Sequence, residues 1–145
     1  MPFQLHPQLA KDCYYLGDFP LSALLLSKDA NYPWYILVPK RADISEAFQL
    51  NTEEQQLLHQ ESILLSKTLN ETFAADKMNI AALGNMVPQL HLHHIVRYKT
   101  DIAWPNPVWG YADAQAYQEQ TLAERINATL TALSHYDFTA RSTHH

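Results

Sequence analysis

Little cysteine, few glycines and no excess of positive charge mark this chain of 145 residues. Its single cysteine, Cys13, cannot form an internal disulfide, which agrees with a reducing compartment. The 10 Lys and Arg against 15 Asp and Glu give a formal charge of -5, so no basic field attracts a nucleic acid backbone. The sequence therefore disfavours a nucleic acid polymer as partner, but it permits a small phosphorylated ligand held by local donors.

Long hydrophobic runs and a leader pattern are also missing. No apolar stretch approaches the ~20 residues that span a membrane. Residues 1–7 have neither the basic start nor the apolar centre of a signal peptide. We therefore expect a cytoplasmic protein that has no membrane partner.

What is present fits one domain. With 47% hydrophobic and 17% charged residues, a chain of this length is expected to bury roughly two-thirds of the surface that it exposes when unfolded. No internal repeat or linker divides the sequence. We predict a single domain over residues 1–138 and a flexible tail over residues 139–145, and we leave His144 and His145 out of the site.

The order of secondary structure predicts an α+β fold. A polar lead-in precedes several short runs rich in aromatic and β-branched residues, which predict strands, and leucines at helical spacing predict a long helix that ends near Phe73. Asn51 or Thr52 caps that helix, and Asp113 caps a second one. Without regular βαβ alternation, the strands indicate an antiparallel sheet with helices packed on it. The lead-in covers residues 1–12, the strands 13–16, 19–27, 34–38, 78–83 and 89–98, and the second helix 114–136.

One predicted strand carries side chains that packing alone does not explain. In Gln89-Leu90-His91-Leu92-His93-His94-Ile95-Val96-Arg97-Tyr98, alternation places His91 and His93 on one face and His94 on the other. The leucines share the face of His94 and would meet a core. We therefore expect a functional use for the opposite face.

A tight turn at Gly84-Asn85 is predicted to lead into this strand. Gly permits the backbone conformations that a hairpin turn needs. Backbone N–H groups in such a turn can also form an anion-accepting concavity, which makes it a candidate phosphate cradle beside the histidines. A plain hairpin without a ligand is the alternative.

The paired histidines leave three chemical interpretations open. Two imidazoles on one strand face can reach one zinc ion, but a catalytic zinc site needs about three protein ligands and no Cys or Glu lies at a convincing spacing. An imidazole can instead attack an acyl or phosphoryl centre while neighbouring donors stabilise the developing charge. The third interpretation is that the histidines carry no chemistry at all.

Residues 83–97 resemble the signature of the histidine triad (HIT) superfamily of nucleotide hydrolases and transferases, His-φ-His-φ-His-φ-φ, in which φ is apolar. The strand ending Val38-Pro39-Lys40-Arg41 and the helix after it resemble the same family. The loop Trp104-Pro105-Asn106-Pro107-Val108-Trp109 resembles its bacterial diadenosine-tetraphosphate-hydrolase-like branch. The resemblance covers roughly residues 14–110 and implies the HIT-like α+β fold.

The resemblance assigns roles to three residues of this strand. Gln89 occupies the first histidine position, His91 the second and His93 the third. It implies that His91 is the nucleophile on the α-phosphorus and that His93 hydrogen-bonds the phosphate or the leaving-group bridge. The main-chain carbonyl of Gln89 would hold the ring of His91, but its amide cannot take on a proton as imidazole can, so proton delivery would come from elsewhere.

The resemblance also implies where substrate binds. Asn85 and the backbone of Gly84 are the expected phosphate donors, and Asn79 is a further candidate. A base pocket of apolar residues is expected from the first hairpin, although Pro33-Trp34 stands where the family commonly has Gly-His. The pocket candidates are Phe19, Leu21, Leu25, Tyr35 and Trp34.

These roles imply an enzyme acting at the α-phosphorus of a purine dinucleotide polyphosphate or phosphoramidate, through a nucleotidyl-histidine intermediate on His91. The alternative is a nucleotide-binding module of the same fold that is catalytically weak because of Gln89. No cofactor is required in either case, and a divalent cation would enter with a polyphosphate. Family members are often homodimers, and a homodimer is the expected assembly.

Overall fold

A six-stranded antiparallel sheet with helices on it forms the protein, which confirms the predicted α+β fold. The computed structural model describes residues 2–141. The strands are β1 (Cys13–Asp18), β2 (Ser22–Ser27), β3 (Trp34–Pro39), β4 (Lys77–Ala81), β5 (Leu92–Arg97) and β6 (Thr139–Ala140). The helices are α1 (Pro7–Asp12), α2 (Thr52–Phe73) and α3 (Glu119–Leu133), and a 3-10 turn covers Ala47–Gln49. The strand order is β4-β5-β3-β2-β1-β6.

The long helix α2 begins and ends at positions that its sequence dictates. The Asn51 side chain accepts a hydrogen bond from the backbone N–H of Glu54 at 2.8 Å, and the Glu54 carboxylate accepts one from the N–H of Asn51 at 3.0 Å. These reciprocal bonds satisfy two N–H groups that lack partners inside the helix. Ala74, with φ of 50°, ends the helix in the left-handed conformation.

The two faces of the sheet bury different side chains. Leucines of α2 and α3 pack against one face, whose strand residues include Leu24, Tyr35 and Val96. The opposite face carries Leu25 and Ile36 and is covered by the short helix α1 and the loop before β5. Because β3 pairs with β5 so that Ile36 lies opposite His93 and Tyr35 opposite His94, the two faces also separate the histidines.

The N-terminal segment and the second helix differ from expectation. The sequence predicts a polar lead-in over residues 1–12, but residues 7–12 form α1, which has a Pro at its first position and His6 as its N-cap. The helix α3 begins at Glu119, not at residue 114. The backbone of Gln115 instead bonds the turn between β2 and β3, donating to Asp29 Oδ1 at 3.2 Å and accepting from Ala30 N–H at 2.7 Å. Those contacts use groups that a helix would need.

The connection into the histidine strand is also longer than a tight turn. Residues 82–91 separate β4 from β5. The backbone N–H of Leu90 donates to the carbonyl of Ile44 at 2.9 Å, and its side chain is buried beside Leu21 and Leu58. The predicted hairpin is confirmed, because β4 and β5 pair antiparallel with Ala81 opposite His93. Its connection is a loop held by tertiary contacts and not the tight turn that the Gly-Asn dipeptide predicted.

Part of the predicted tail is ordered. Thr139 and Ala140 form β6 at the sheet edge, opposite Asp18 and Gly17 of β1. A Cβ at Gly17 would lie 2.4 Å from the carbonyl oxygen of Thr139, so only glycine lets β6 approach this closely. The domain therefore extends at least to Ala140, and the last residues of the expected tail, 142–145, lie outside the described residues. Within residues 2–141, no helix has the length and apolarity needed to cross a bilayer.

Candidate active site on the open face of the sheet

Two imidazoles lie side by side on the side of the sheet that α2 and α3 leave uncovered, His91 directly before β5 and His93 within it. The ring centroids of His91 and His93 are 4.9 Å apart, with an angle of 70° between the rings. Each residue is 7% exposed, and both line a cavity of about 1010 Å³. His94 is fully buried on the other face, as the alternation predicted.

The main chain fixes the ring of His91. Its Nδ1 lies 2.7 Å from the carbonyl oxygen of Gln89. A carbonyl only accepts hydrogen bonds, so Nδ1 carries the proton in the neutral ring and Nε2 keeps its lone pair. This is the contact that the resemblance implied, and it leaves a nucleophilic nitrogen on a ring that borders the cavity.

His93 is held by a side chain instead. The indole Nε1–H of Trp34 donates to Nδ1 of His93 at 2.9 Å. The neutral ring therefore carries its proton on Nε2. Burial, and then the neighbouring His91 and His94, lower the pKa of His93 to about 3. His93 is thus a neutral hydrogen-bond donor at physiological pH.

The side chain of Gln89 does not meet either ring. Its Oε1 accepts a hydrogen bond from the backbone N–H of His6 at 2.8 Å, and its Nε2 donates to the carbonyl of Gln4 at 2.9 Å. Gln89 therefore ties the N-terminal segment to the loop before β5. Its main-chain carbonyl contacts the ring of His91, whereas its side-chain amide bonds only the N-terminal segment.

Gly84 and Asn85 border the same cavity, in the loop before β5. Gly84 has φ of 76°, a left-handed conformation that strains other residues. Among the described residues, the backbone N–H groups of Gly84 and Asn85 form no hydrogen bond within the protein. Asn85 is exposed at the rim of the cavity. Gly-containing loops of this kind can present backbone N–H groups to an anion.

Trp109 completes the aromatic surround of His93. Its ring lies edge-on to the imidazole, with centroids 5.0 Å apart, and 5.7 Å from the ring of Trp34. The sequence indicated only that the loop tryptophans would cover a core or a pocket. Sequence reasoning missed the contact with His93, which requires the loop to fold back over β5.

A buried ion pair holds that loop in place. Arg97, 1% exposed, donates to both carboxylate oxygens of Asp101 at 2.8 and 3.1 Å and to the carbonyl of Asn106 at 2.9 Å. Burial of Asp101 raises its pKa, but the hydrogen bonds from Arg97 and two backbone N–H groups outweigh it and lower the pKa overall. Asn79 accepts from Arg97 at 2.8 Å, so it supports this cluster and does not line the cavity.

The expected base-pocket residues lie elsewhere, with one exception. Phe19 and Tyr35 are on the helix-covered face, where Phe19 packs on Phe138 at 4.9 Å and Tyr35 hydrogen-bonds Thr129 at 2.6 Å. Leu25 is buried in the sheet beneath the cavity, and Leu21 packs in a separate cluster with Leu50. Trp34 alone borders the cavity. The resemblance implied that these hairpin residues would form the base pocket. Strand alternation instead places Tyr35 of β3 on the helix-covered face, and the turn between β1 and β2 places Phe19 there as well.

The remaining walls come from elements that the sequence did not assign to the site. Leu9, Ile36 and Val87 provide an apolar wall, and Lys11, Asp12, Lys28 and Asp29 provide charged groups farther along the cavity. Cys13 also lines it, but burial, then Asp12, raise the pKa of its thiol to about 12 against the effect of Lys28. The thiol is therefore not a nucleophile near neutral pH. Among residues 2–141, no cluster of three His, Cys, Asp or Glu could hold a metal ion.

The fold and the site together define an α+β protein with a pair of histidines on one wall of a cavity. Known proteins with a similar sequence and fold belong to one family. A family model described as the HIT domain matches residues 8–100. A search of curated proteins finds no match. The chain belongs to the HIT family, a family of nucleotide-binding proteins.

Three solved structures of bacterial histidine triad proteins are similar to this chain. One from Marinobacter aquaeolei VT8 has 49% identity and a TM-score of 0.90 over 93% of this chain and 98% of that one. One from Bradyrhizobium japonicum has 44% identity and a TM-score of 0.90 over 91% and 98%. One from Sinorhizobium meliloti 1021 has 39% identity and a TM-score of 0.87 over 90% and 97%. The likeness therefore extends over nearly the whole chain.

Proposed function

We propose that this protein is a nucleotide hydrolase or nucleotidyl transferase that acts at the α-phosphorus of a purine dinucleotide polyphosphate or phosphoramidate. One observation carries the proposal. In the neutral ring of His91, the bond of 2.7 Å between Nδ1 and the Gln89 carbonyl leaves the lone pair of Nε2 free, and this ring borders the cavity. A positioned imidazole with a free lone pair is suited to nucleophilic attack.

In the proposed reaction, the lone pair of His91 Nε2 forms a bond to the α-phosphorus. The bond from phosphorus to the leaving group breaks, and its electron pair departs with that group. Water then attacks the same phosphorus, releases the nucleoside monophosphate and returns the electron pair to Nε2. A transferase would use another acceptor in place of water.

The surroundings of His91 suit the charge that develops on the phosphate. His93, held as an Nε2–H donor by Trp34, lies with its ring centroid 4.9 Å from that of His91. Gly84 and Asn85 add N–H groups at the cavity wall. Fixed donors in such a site contribute up to about 3 kcal/mol each to the stabilisation of a transition state.

The apolar wall suits a nucleobase. Leu9, Ile36, Val87 and the indole of Trp34 border the cavity beside the histidines. Among these residues only Trp34 was expected in the base pocket. A flat apolar surface next to polar donors is typical of sites that bind a base and a phosphate together.

A binding module with little catalysis is the second candidate. In the HIT resemblance Gln89 stands at the first histidine position, and its amide is bonded to the N-terminal segment. It therefore brings no titratable group to the leaving group. This arrangement favours binding without efficient turnover if the substrate demands a proton.

Four further features stay proposals. We place the protein in the diadenosine-tetraphosphate-hydrolase-like branch, in the cytoplasm, as a homodimer. It needs no cofactor of its own, and a divalent cation enters only with a polyphosphate substrate. Sedimentation at several protein concentrations tests the dimer.

Turnover and binding together test the proposed function. Purified protein is given diadenosine tetraphosphate and adenosine phosphoramidate while AMP release is followed, and AMP binding is measured by calorimetry. AMP release from either substrate supports the enzyme. Saturable AMP binding without turnover supports the module, and the lack of both removes both functions.

A further inference from the structure

The two cavity histidines are held in opposite tautomers. A carbonyl acceptor at 2.7 Å leaves His91 with a bare Nε2, whereas the indole N–H of Trp34 at 2.9 Å leaves His93 with a bare Nδ1. Because an indole nitrogen can only donate, the proton of neutral His93 must be on Nε2. One ring thus offers a lone pair to the cavity side and the other offers a proton donor.

The donor that sets His93 is itself fixed. Trp34 is the first residue of β3, where it pairs with Ile95 of β5. Its ring meets the rings of Tyr32 at 6.2 Å and Trp109 at 5.7 Å, both edge-on. Strand pairing and two aromatic contacts therefore prevent the indole from turning away from His93 without repacking.

Protonation of His93 would break this arrangement. A proton on Nδ1 would face the Trp34 N–H across 2.9 Å, so a hydrogen bond would become a clash of two donors. The titratable groups next to the ring are His91 beside it and His94 on the other side of β5. The charged residues Lys11, Asp12, Lys28 and Asp29 border the same cavity. Among residues 2–141, none of these hydrogen-bonds His93. The low pKa of His93, about 3, agrees with the geometry.

We propose that Trp34 is a positioning residue that keeps His93 a neutral Nε2–H donor, so that the site selects substrates whose leaving group needs no proton. This selectivity rests on the proposed function. His93 can then hydrogen-bond the phosphate but cannot transfer its proton, because an anionic imidazole would result. The neutral amide of Gln89 is bonded to residues 4 and 6 and supplies no proton either.

The consequence is a preference between two substrate classes. In a phosphoanhydride the bond from the α-phosphorus to the bridging oxygen breaks, and the electron pair leaves on a phosphate oxygen as a stable anion. In a phosphoramidate the bond to nitrogen breaks, and the departing nitrogen requires a proton to leave as a neutral amine. The geometry at Trp34, His93 and Gln89 therefore favours anhydrides such as dinucleoside polyphosphates.

Nitrogen-15 spectra of the histidine rings test the hold on His93 without any substrate. In the full-length wild type we expect His93, assigned by loss of its signals in His93→Gln, to show a bare Nδ1 and a protonated Nε2 without titration from pH 5 to 8. In Trp34→Phe, the His93 ring should titrate between pH 5 and 8 or show a mixture of the two tautomers. Trp109→Phe, which alters the edge-on aromatic neighbour but removes no hydrogen bond to His93, should keep the wild-type tautomer. A protonated Nδ1, or titration of the wild-type ring, would overturn the proposal.

Turnover of the two substrate classes tests the selectivity. We expect kcat/KM of the wild type for diadenosine tetraphosphate to exceed that for adenosine phosphoramidate by about 100-fold or more, the lower range of what general acid catalysis provides. Trp34→Phe should reduce this ratio of the two kcat/KM values, and the reduction should be largest at low pH. Equal kcat/KM values in the wild type would refute the selectivity while the spectra still decide the tautomer. No turnover of either substrate would remove the proposed function and the selectivity together.

Discussion

His91 and His94 have the same kind of hydrogen-bond partner at Nδ1 but differ at Nε2. Each ring places Nδ1 near the carbonyl two residues earlier, at 2.7 Å for Gln89 and 3.1 Å for Leu92. Nε2 of His94 meets the hydroxyl of Ser62 at 2.7 Å in the core. Nε2 of His91 has no protein partner among residues 2–141. The same backbone geometry therefore serves the core on one face of β5 and the cavity on the other.

This difference teaches what turns a buried histidine into a reactive one. Burial lowers the pKa of His94 to about 4, although its hydrogen bond with Leu92 raises it. The pKa of His93 on the cavity face is also low, so a neutral imidazole lies on each face. A neutral ring becomes a nucleophile only where its lone pair is left free. On the helix-covered face the Ser62 hydroxyl occupies that lone pair.

Removal of the free nitrogen should have the largest effect. His91→Ala should lower AMP release by about 10⁴-fold or more, since it removes the group that forms the covalent bond. Rates of wild type and variant are compared at saturating diadenosine tetraphosphate. Ser62→Ala, which alters the matching contact on the core face, is the control and should retain turnover. Equal losses in the two variants would erase the distinction between the faces.

Acid should weaken the fold through the neutral histidines. The folded pKa of His94, about 4, lies below the ordinary value of 6.5, so the unfolded chain binds more protons between these values. The stabilising contribution is complete above pH 6.5 and falls by about 3 kcal/mol as the pH drops to 4. Urea unfolding at several pH values measures the slope.

His94→Gln should flatten that slope because it removes one group whose proton binding differs between the two states. His59→Gln, at an exposed position of α2, is the matched control and should leave the slope as in the wild type. Identical slopes in all three proteins would show that His94 does not carry the effect.

Loss of the Ser62 hydroxyl should cost stability and little else. Ser62→Ala leaves Nε2 of buried His94 without its donor, and an unsatisfied buried acceptor costs about 1–3 kcal/mol. The free energy of unfolding at pH 7 measures this loss. An unchanged free energy of unfolding would mean that the bond between Ser62 and His94 does not stabilise the fold. His94 and His91 would then differ only in which face of the sheet they occupy.

Truncation of the Gln89 side chain should have the smallest effect on catalysis. Gln89→Ala keeps the main-chain carbonyl that holds His91 and removes only the bonds to the N-terminal segment. We expect turnover to fall by less than about tenfold, or under ~1.4 kcal/mol. Steady-state kinetics beside His91→Ala provide the comparison. A loss as large as that of His91→Ala would assign the amide a direct role.

Periodicity was sufficient to predict the histidine face. The alternation predicted over residues 89–98 places His91 and His93 on one face and His94 on the other. The structure confirms this separation, since His91 and His93 line the cavity and His94 is buried away from it, although β5 begins only at Leu92. The sequence also predicts Asn51 or Thr52 as the cap of α2, and Asn51 is the cap, because a cap and its first turn are local in sequence. Features set by neighbouring residues are those that a single sequence reveals.

The contacts that complete the site are not local. Trp34 meets His93 across 59 residues of sequence, and Trp109 reaches it through a loop held by Arg97 and Asp101. The wall from α1 depends on a helix of six residues, too short for a periodic signal. The resemblance implied Phe19 and Tyr35 as pocket residues, but both pack on the helix-covered side of the sheet. Tertiary packing decides these points, and only the fold reveals them.

The central claim is that the free Nε2 of His91 forms a covalent bond to the substrate. Protein mixed with dinucleotide substrate, stopped by rapid denaturation and digested, is analysed by mass spectrometry for a nucleoside monophosphate adduct. The account predicts an adduct on the peptide that contains His91, formed within one turnover and absent in His91→Ala. Turnover by the wild type with no adduct on that peptide, or an adduct at another residue, would contradict it.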